Sequence, residues 1–255
     1  MGVYTRKKQK RRDKFTRKQR GGNKSKKQRG GNKSKKLVFY TCFFGNTGSP
    51  ADIVPELPSK NYDCYYFTNN IATSDKAKAV GWNVIFINKS IKGTNRDNAM
   101  DSKELKACPH HFEQLKGYTY SCYFDSKLRV KENDIENMLN EIKGDVVMLV
   151  NRHPTAKGVR EEFDLAMGQP RYSQNSDKYK KFMNSKFKSG LKEMVDVHYE
   201  TSCIIRLSGD TANAIGDQWY KYIEETGAEC QITFFFVQQE FKDNIRPLPV
   251  YYGRS

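Results

Sequence analysis

Tyr123-Phe124-Asp125-Ser126-Lys127-Leu128 ends an apolar run on a carboxylate and places an ammonium two residues further on. A carboxylate just past a buried strand can ligate a divalent cation that neutralises a diphosphate, and a lysine beside it adds a fixed positive charge. An isolated Asp at a strand end also serves as a helix cap or a turn residue. The histidines are weaker signals. His110 and His111 are adjacent, so their side chains are expected to diverge, and no spaced partner completes a metal site. A cap or phosphate contact through His110 and a structural role both remain open. His153 precedes Pro154 beyond an apolar run and is expected either to touch ligand or to tie its loop. His198 carries no specific signal. Glu200 and Arg206 lie six apart in a strand-like run, which puts them on one face of a regular strand. Trp219 falls at helical spacing with Ile215 and Tyr222 and reads as core.

These residues need elements to position them. Leu37–Phe44, Tyr62–Thr68, Trp82–Ile87, Tyr118–Phe124, Asp145–Val150 and Thr201–Leu207 read as strands, rich in aromatic and β-branched residues. Asn69–Lys78 is a polar stretch without a clear period. Asp97–Ala107, Ile135–Ile142, Val159–Met167 and Tyr179–Met194 read as helices, and Asp210 is expected to cap another that runs to Glu225. Ile232–Val237 is apolar and ambiguous in type. Strands alternating with helices, several of them apolar throughout, predict an α/β sandwich with a mostly parallel central sheet. Ligands then bind outside the carboxyl ends of the strands, so the loops after Phe44 and from Asp125 should face the site.

Charge separates the chain into two parts. Residues 1–36 hold 17 basic side chains and one acid, which is the whole formal charge of +16; the other 219 residues carry 28 of each sign and sum to zero. QRGGNKSKK occupies 19–27 and recurs unchanged at 28–36. Such a segment cannot bury apolar area, so a disordered polybasic tail over 1–36 and a single domain over 37–255 are expected. The tail suits contact with nucleic acid or another anionic surface, an address signal, or no defined partner. In composition it resembles leaders of predicted proteins from large algal DNA viruses. No apolar run is long enough for a transmembrane segment, and no signal peptide is visible, so a cytoplasmic place is expected, in a host cell or virion if the chain is viral. The six cysteines are far apart and read as reduced core thiols. The absence of Gly-x-Gly-x-x-Gly, of a Walker A lysine loop and of Gly-x-Ser-x-Gly disfavours dinucleotide oxidoreductases, P-loop NTPases and serine hydrolases.

Several separated pieces resemble the glycosyltransferase-like domain family of the TOD/MUCI type, which includes plant pectin- and mucilage-associated proteins. Tyr40-Thr41-Cys42-Phe43-Phe44-Gly45 resembles its opening strand, Tyr65-Tyr66-Phe67-Thr68-Asn69 its second, and Gly81-Trp82-Asn83-Val84 its third. Lys106-Ala107-Cys108-Pro109-His110 resembles its Lys-x-x-Pro-His element, and Tyr123–Leu128 its Trp-x-Asp-Ser/Gly-Lys-Leu. Arg152-His153-Pro154 is similar to an Arg/Lys-His element, with Glu161 or Glu162 at the Glu beyond it. Glu200–Arg206 resembles Glu-Thr-Gly-x-Ile-x-Arg, and Trp219 a Trp in the next helix. The likeness spans roughly residues 37–240.

The resemblance implies a GT-A-like, Rossmann-like sandwich that binds a nucleotide sugar and transfers the sugar to a glycan, protein or lipid acceptor. It implies catalytic roles for Asp125, Glu200 and Glu229, and substrate contacts for Thr41, Gly45, Lys106, His110, Lys127, His153, Arg206 and Gln231. It places a divalent metal, Mn²⁺ or Mg²⁺, on Asp125. Lys127 stands where a second acid would, and a lysine there neutralises phosphate directly. Near the end the family has Arg-Asp-Gln-x-Ser-Phe, whereas this chain has Glu229-Cys230-Gln231-Ile232-Thr233-Phe234. A buried thiol does not replace a carboxylate base near neutral pH without activation. The neighbouring Glu229 points elsewhere if the segment is regular, so either Glu200 carries that duty or activity is reduced or lost. The alternative is an inactive relative that binds nucleic acid or an anionic surface through its tail.

Overall fold

Where the charge of the leader stops, Leu37–Phe43 forms β1, buried along almost its whole length. The computed structural model of the protein describes residues 36–49, 52–93 and 95–252, and not the side chains of 95 and 96. The expected tail lies outside the described residues, apart from Lys36. Residues 34–255 form one unit, to which all the described elements belong.

After β1 come β2 (Asp63–Thr68), α1 (Ile71–Val80), β3 (Asn83–Phe86), α2 (Asn95–Ala107), β4 (Tyr120–Phe124), α3 (Glu132–Leu139) and β5 (Met148–Arg152). The chain continues through α4 (Val159–Met167), α5 (Pro170–Ser173), α6 (Ser176–Lys188), β6 (Tyr199–Leu207), α7 (Asp210–Thr226), α8 (Cys230–Glu240) and β7 (Ile245–Pro247). The strands make one seven-stranded sheet in the order β3-β2-β1-β4-β6-β5-β7. β6 runs against both its neighbours; every other pairing is parallel. The α/β class and the mostly parallel sheet expected from the sequence are therefore present.

Three apolar clusters explain the layering. Phe39, Cys122, Phe124 and Leu149 on one face meet Ala77 of α1 and Ile135, Met138 and Leu139 of α3. Val38, Tyr40, Phe67 and Tyr123 on the other face meet Leu105 of α2. Met148, Val150 and Ile204 continue that second face under α4, α6, α7 and α8. A sheet covered on both faces needs strands that are apolar at every position, which is why β1, β4 and β6 lack an alternating pattern.

Some elements differ from expectation for identifiable reasons. The polar stretch after β2 is α1, held at its ends rather than by an apolar stripe: the Asn70 side chain accepts from Thr73 N, and Gly81 N–H closes the last turn on Ala77 and Lys78. Ile232–Val237 lies within α8, where Ile232, Phe234, Phe235, Phe236 and Val237 are all buried; a helix apolar on every side shows no period. Asp210 is not the cap of α7. Gly209 holds that position, and Asp210 adds an acid to the first turn. The helix expected to reach Met194 stops at Lys188, and the strand expected over Asp145–Val150 is displaced to Met148–Arg152. Among the described residues no helix is long and apolar enough to cross a membrane.

Candidate functional site at the carboxyl edge of the sheet

β4 delivers Asp125 to the carboxyl edge of the sheet, where its backbone N–H donates to Ser202 O of the antiparallel β6. Lys106 Nζ donates to Asp125 Oδ1 at 3.2 Å and lies 5.0 Å from the Tyr123 ring centre; Tyr123 OH donates to the same oxygen at 2.8 Å. The Lys106 side chain is 4% exposed and that of Asp125 41%, so a buried ammonium holds a carboxylate that solvent and ligand can reach. Burial pushes the Asp125 carboxyl up, but Lys106 and then Lys103 more than reverse this and hold it below the usual carboxylate range.

Lys103, one turn before Lys106 on α2, donates to Cys230 Sγ at 3.4 Å. Burial pulls its ammonium down, and Cys230, Tyr172, Glu229 and Asp125 together return it above its ordinary value. Cys230 opens α8, and its sulfur also lies 3.5 Å from Thr201 Oγ1. Trp219 Nε1 donates to Cys230 O at 3.0 Å and fixes that helix start against α7. Glu229 is the N-cap of α8 and accepts from Gln231 N. Burial and the charge of Glu162 push its carboxyl up.

The chain of contacts continues to β5. Gln231 Nε2 donates to Glu162 Oε1 at 2.6 Å, and Glu162 Oε2 lies 3.2 Å from His153 Nε2 and 3.8 Å from His198 Nε2. The buried acid is thus Glu162, while Glu161 is exposed and accepts from Lys157 N. Burial raises the Glu162 carboxyl, and His153, His198 and Gln231 more than offset this, leaving it low. His153 Nδ1 accepts from the backbone N–H of Thr155 and Ala156, so its ring proton sits on Nε2, facing Glu162.

The edge therefore gathers Asp125, Lys106, Glu229, Gln231 and His153 of the residues singled out in the sequence. Others fall elsewhere. Thr41 is fully buried on the opposite face of β1, its Oγ1 without a hydrogen-bond partner among the described residues. Gly45 comes after β1 at φ +135°, a backbone that glycine adopts freely; its N–H donates to Asn69 Oδ1 and its carbonyl accepts from Asn70 Nδ2. Lys127 is exposed in the turn beyond Asp125. Arg206 is buried and donates to Tyr40 OH and to the Lys106 carbonyl, so it supports the backbone behind Lys106. Glu200 does not share a face with it. The β5–β6 register shifts between Val150 and Asn151, which places Arg206 opposite Met148 and Glu200 opposite Asn151. Tyr199 and Thr201 then face α8, and Glu200 points away from it. His110 lies where α2 gives way to β4, toward the amino ends of the strands, 2.9 Å from Asp217. Its ring meets that of His111 at 4.5 Å, and both approach Asp217, contrary to the divergence expected of neighbours.

Two members of the edge were missed in the sequence. Lys103 stands at i and i+3 with Lys106, a spacing that the predicted helix over 97–107 already held on one face. Cys42 alternates with Tyr40 along β1; burial and then the charge of Asp125 push its thiol up to about 12, so it is inert there. To the Mn²⁺ or Mg²⁺ expected there the protein offers Asp125 alone: its Oδ1 already carries an ammonium and a phenol, and among the described residues it joins no set of three or more potential ligands, so such an ion would take its other ligands from substrate phosphate and water. Recesses of about 490 Å³ beside Tyr62 and Asn83 and about 290 Å³ beside His110 and Ser208 are lined by neither Asp125 nor Lys106.

No family model and no curated protein matches the chain. Among solved structures it is similar to mouse xyloside xylosyltransferase 1, with TM-score 0.49, 10% identity, and coverage of 84% of this chain and 85% of that one. It is also similar to CMP:2-keto-3-deoxy-manno-octonic acid synthetase complexed with CTP, with TM-score 0.45, 10% identity, and coverage of 86% and 91%.

Proposed function

We propose that the protein has a GT-A-like domain that binds a nucleotide sugar at the carboxyl edge of its sheet and transfers the sugar to a glycan, protein or lipid acceptor. The observation that carries this reading is the pairing of two α2 lysines with one reachable carboxylate: Lys106 bonds Asp125 directly, and Lys103 lies within its electrostatic reach. The two ammonium groups face Asp125 and Glu229, and because the Glu229 carboxyl is raised and holds its proton more readily, they leave positive charge at one spot of a body that is neutral overall, which suits a diphosphate. The edge is also where ligands bind in open α/β sheets. The ordered elements resembling the glycosyltransferase-like family support the same reading.

In this arrangement Lys106 and Lys103 neutralise the diphosphate without a metal. Asp125 orients Lys106 and offers its free carboxylate oxygen to a donor hydroxyl. Glu229, whose raised carboxyl retains a proton more readily than an ordinary glutamate, is the acid of the group suited to proton transfer. Thermal shift of the full chain against UDP-, GDP- and CMP-sugars, with and without Mn²⁺, tests the reading. A donor at 100 times its Kd should stabilise the fold by about 2.7 kcal/mol, with or without the metal. Lys106→Met should weaken that binding roughly 10- to 100-fold, the worth of one charge-assisted hydrogen bond. No response to any donor, or undiminished binding by Asp125→Ala, would overturn it.

A further inference from the structure

Cys108, His110, His111 and Asp217 bring one sulfur, two imidazole nitrogens and a carboxylate oxygen within 4.8 Å of one another. We propose that these four side chains form a tetrahedral divalent-cation site of the zinc class, which ties α7 to the connection between α2 and β4. The inference is independent of the nucleotide-sugar reading, because the group lies toward the amino ends of the strands and Asp125 at the carboxyl end of β4.

Donor type and spacing agree. Asp217 Oδ1 lies 2.9 Å from His110 Nε2, 3.4 Å from His111 Nε2 and 3.6 Å from Cys108 Sγ. Bonds of about 2.0–2.1 Å to nitrogen and oxygen and about 2.3 Å to sulfur give tetrahedral edges of roughly 3.3–3.7 Å. Two of these spacings fall in that range and one below it, and the remaining pairs lie within 4.8 Å, so small side-chain rotations suffice. A set of one thiol, two imidazoles and one carboxylate favours Zn²⁺ over Mg²⁺ or Ca²⁺, which prefer oxygen alone.

Two further observations point the same way. Glu104 Oε1 stands 3.5 Å from His111 Nδ1, on the far side of the ring from Asp217. A carboxylate behind a ligating imidazole is the usual outer support of a zinc histidine, fixing its tautomer and aim. The second is Gly216. A Cβ there would lie 2.4 Å from the Ala107 carbonyl oxygen and 3.6 Å from His110 Cε1. Only glycine lets α7 approach the end of α2 this closely, and that approach carries the next residue, Asp217, to both histidines. Asp125 is held by a lysine, whereas Asp217 meets two imidazoles and a thiol. Cation binding displaces the Cys108 thiol proton to water, so each ion taken up releases a proton. The ion would also fix the chain two residues from Lys106.

The test uses the full chain stripped of metal and titrated with Zn²⁺ and with Co²⁺. One Zn²⁺ per chain should bind and raise the Tm. Co²⁺ should give the intense visible bands of a tetrahedral site and a near-ultraviolet thiolate-to-cobalt band. His111→Ala, at a half-exposed ring, keeps the fold and should lower affinity at least 100-fold; Glu104→Gln should lower it about tenfold. Cys108→Ser should remove the thiolate band, and if that buried variant fails to fold, the His111→Ala and Asp217→Asn titrations still decide. Uptake that survives both His111→Ala and Asp217→Asn, or Co²⁺ spectra without a thiolate band, would overturn the assignment.

Discussion

Two histidine pairs in this molecule look alike and do different things. His110 with His111 and His153 with His198 are both T-shaped, with ring centres 4.5 and 5.1 Å apart, and each pair shares one carboxylate, Asp217 or Glu162, with Glu104 a second beside His111. The His153 pair is the buried one: Nδ1 of His153 accepts two backbone N–H groups, and His198 is 4% exposed against Phe235, its ring nitrogens without a hydrogen-bond partner among the described residues. The His110 pair is more open, has a thiol beside it, and aims both Nε2 atoms at one point. Burial and backbone bonding turn imidazoles into structural parts. Partial exposure and convergent ring nitrogens leave them available to a ligand.

The sharpest way to break this contrast is acid. Burial, the largest cause, pulls the His198 ring down to about 4 from an ordinary value near 6.5. A lowered histidine is neutral when folded and takes up a proton more readily when unfolded. Its contribution is therefore complete above pH 6.5 and is lost as pH falls toward 4. A shift of this size is worth about 3 kcal/mol. Denaturant unfolding tracked from pH 7 to 4 should show that slope, and His198→Phe should flatten it. The low carboxyls of Asp125 and Glu162 act in a separate window, losing their contribution only as they protonate in stronger acid. A slope unchanged in His198→Phe would place the acid sensitivity elsewhere and erase the distinction between the pairs.

The other pair is probed through its support. Gly216→Ala gains about 1 kcal/mol of helix propensity, yet its Cβ would press on a backbone carbonyl that has no flexible end to move. Overpacking of this kind costs about 1–3 kcal/mol, and at 2.4 Å the cost falls at the upper end, so a net loss of about 2 kcal/mol is expected. The same change should weaken Zn²⁺ binding, because it pushes Asp217 away from the histidines. A stable Gly216→Ala protein with unaltered metal uptake would show that the close approach is not what builds the group.

How much of this was legible without the structure depends on where each signal resides. The α/β alternation and the edge carrying Asp125 were, because buried strands and a strand-end carboxylate are local patterns. Lys106 could be singled out only through its family-like element. The partners that define the chemistry were less visible: Lys103 lies on a polar helix with no motif around it, and Asp217 reaches His110 across 107 residues of chain. Glu200 misled because a regular strand puts i and i+6 on one face, and an irregular register in β6 does not announce itself in residue types. The divergence expected of His110 and His111 failed because a single turn of 3₁₀ helix from Pro109 turns both rings toward one neighbouring helix.

The smallest effect separates the two roles of His153. One is the acceptor that its Nδ1 offers to Thr155 and Ala156; the other is the Nε2 proton facing Glu162. Asn at this position places an amide oxygen where Nδ1 stands but has nothing at Nε2. His153→Asn should therefore keep the loop contact and cost about 0.5 kcal/mol, while His153→Ala loses both and should cost about 1–1.5 kcal/mol. In either variant Glu162 loses a neighbour that lowers it, so its carboxyl should titrate at higher pH by NMR. Equal costs for Asn and Ala would mean that the loop bonds contribute nothing and that the pair is held through Glu162 alone. The two histidine pairs would then resemble each other more closely, each held through a shared carboxylate and differing mainly in exposure and in the thiol and the Glu104 carboxylate beside the His110 pair.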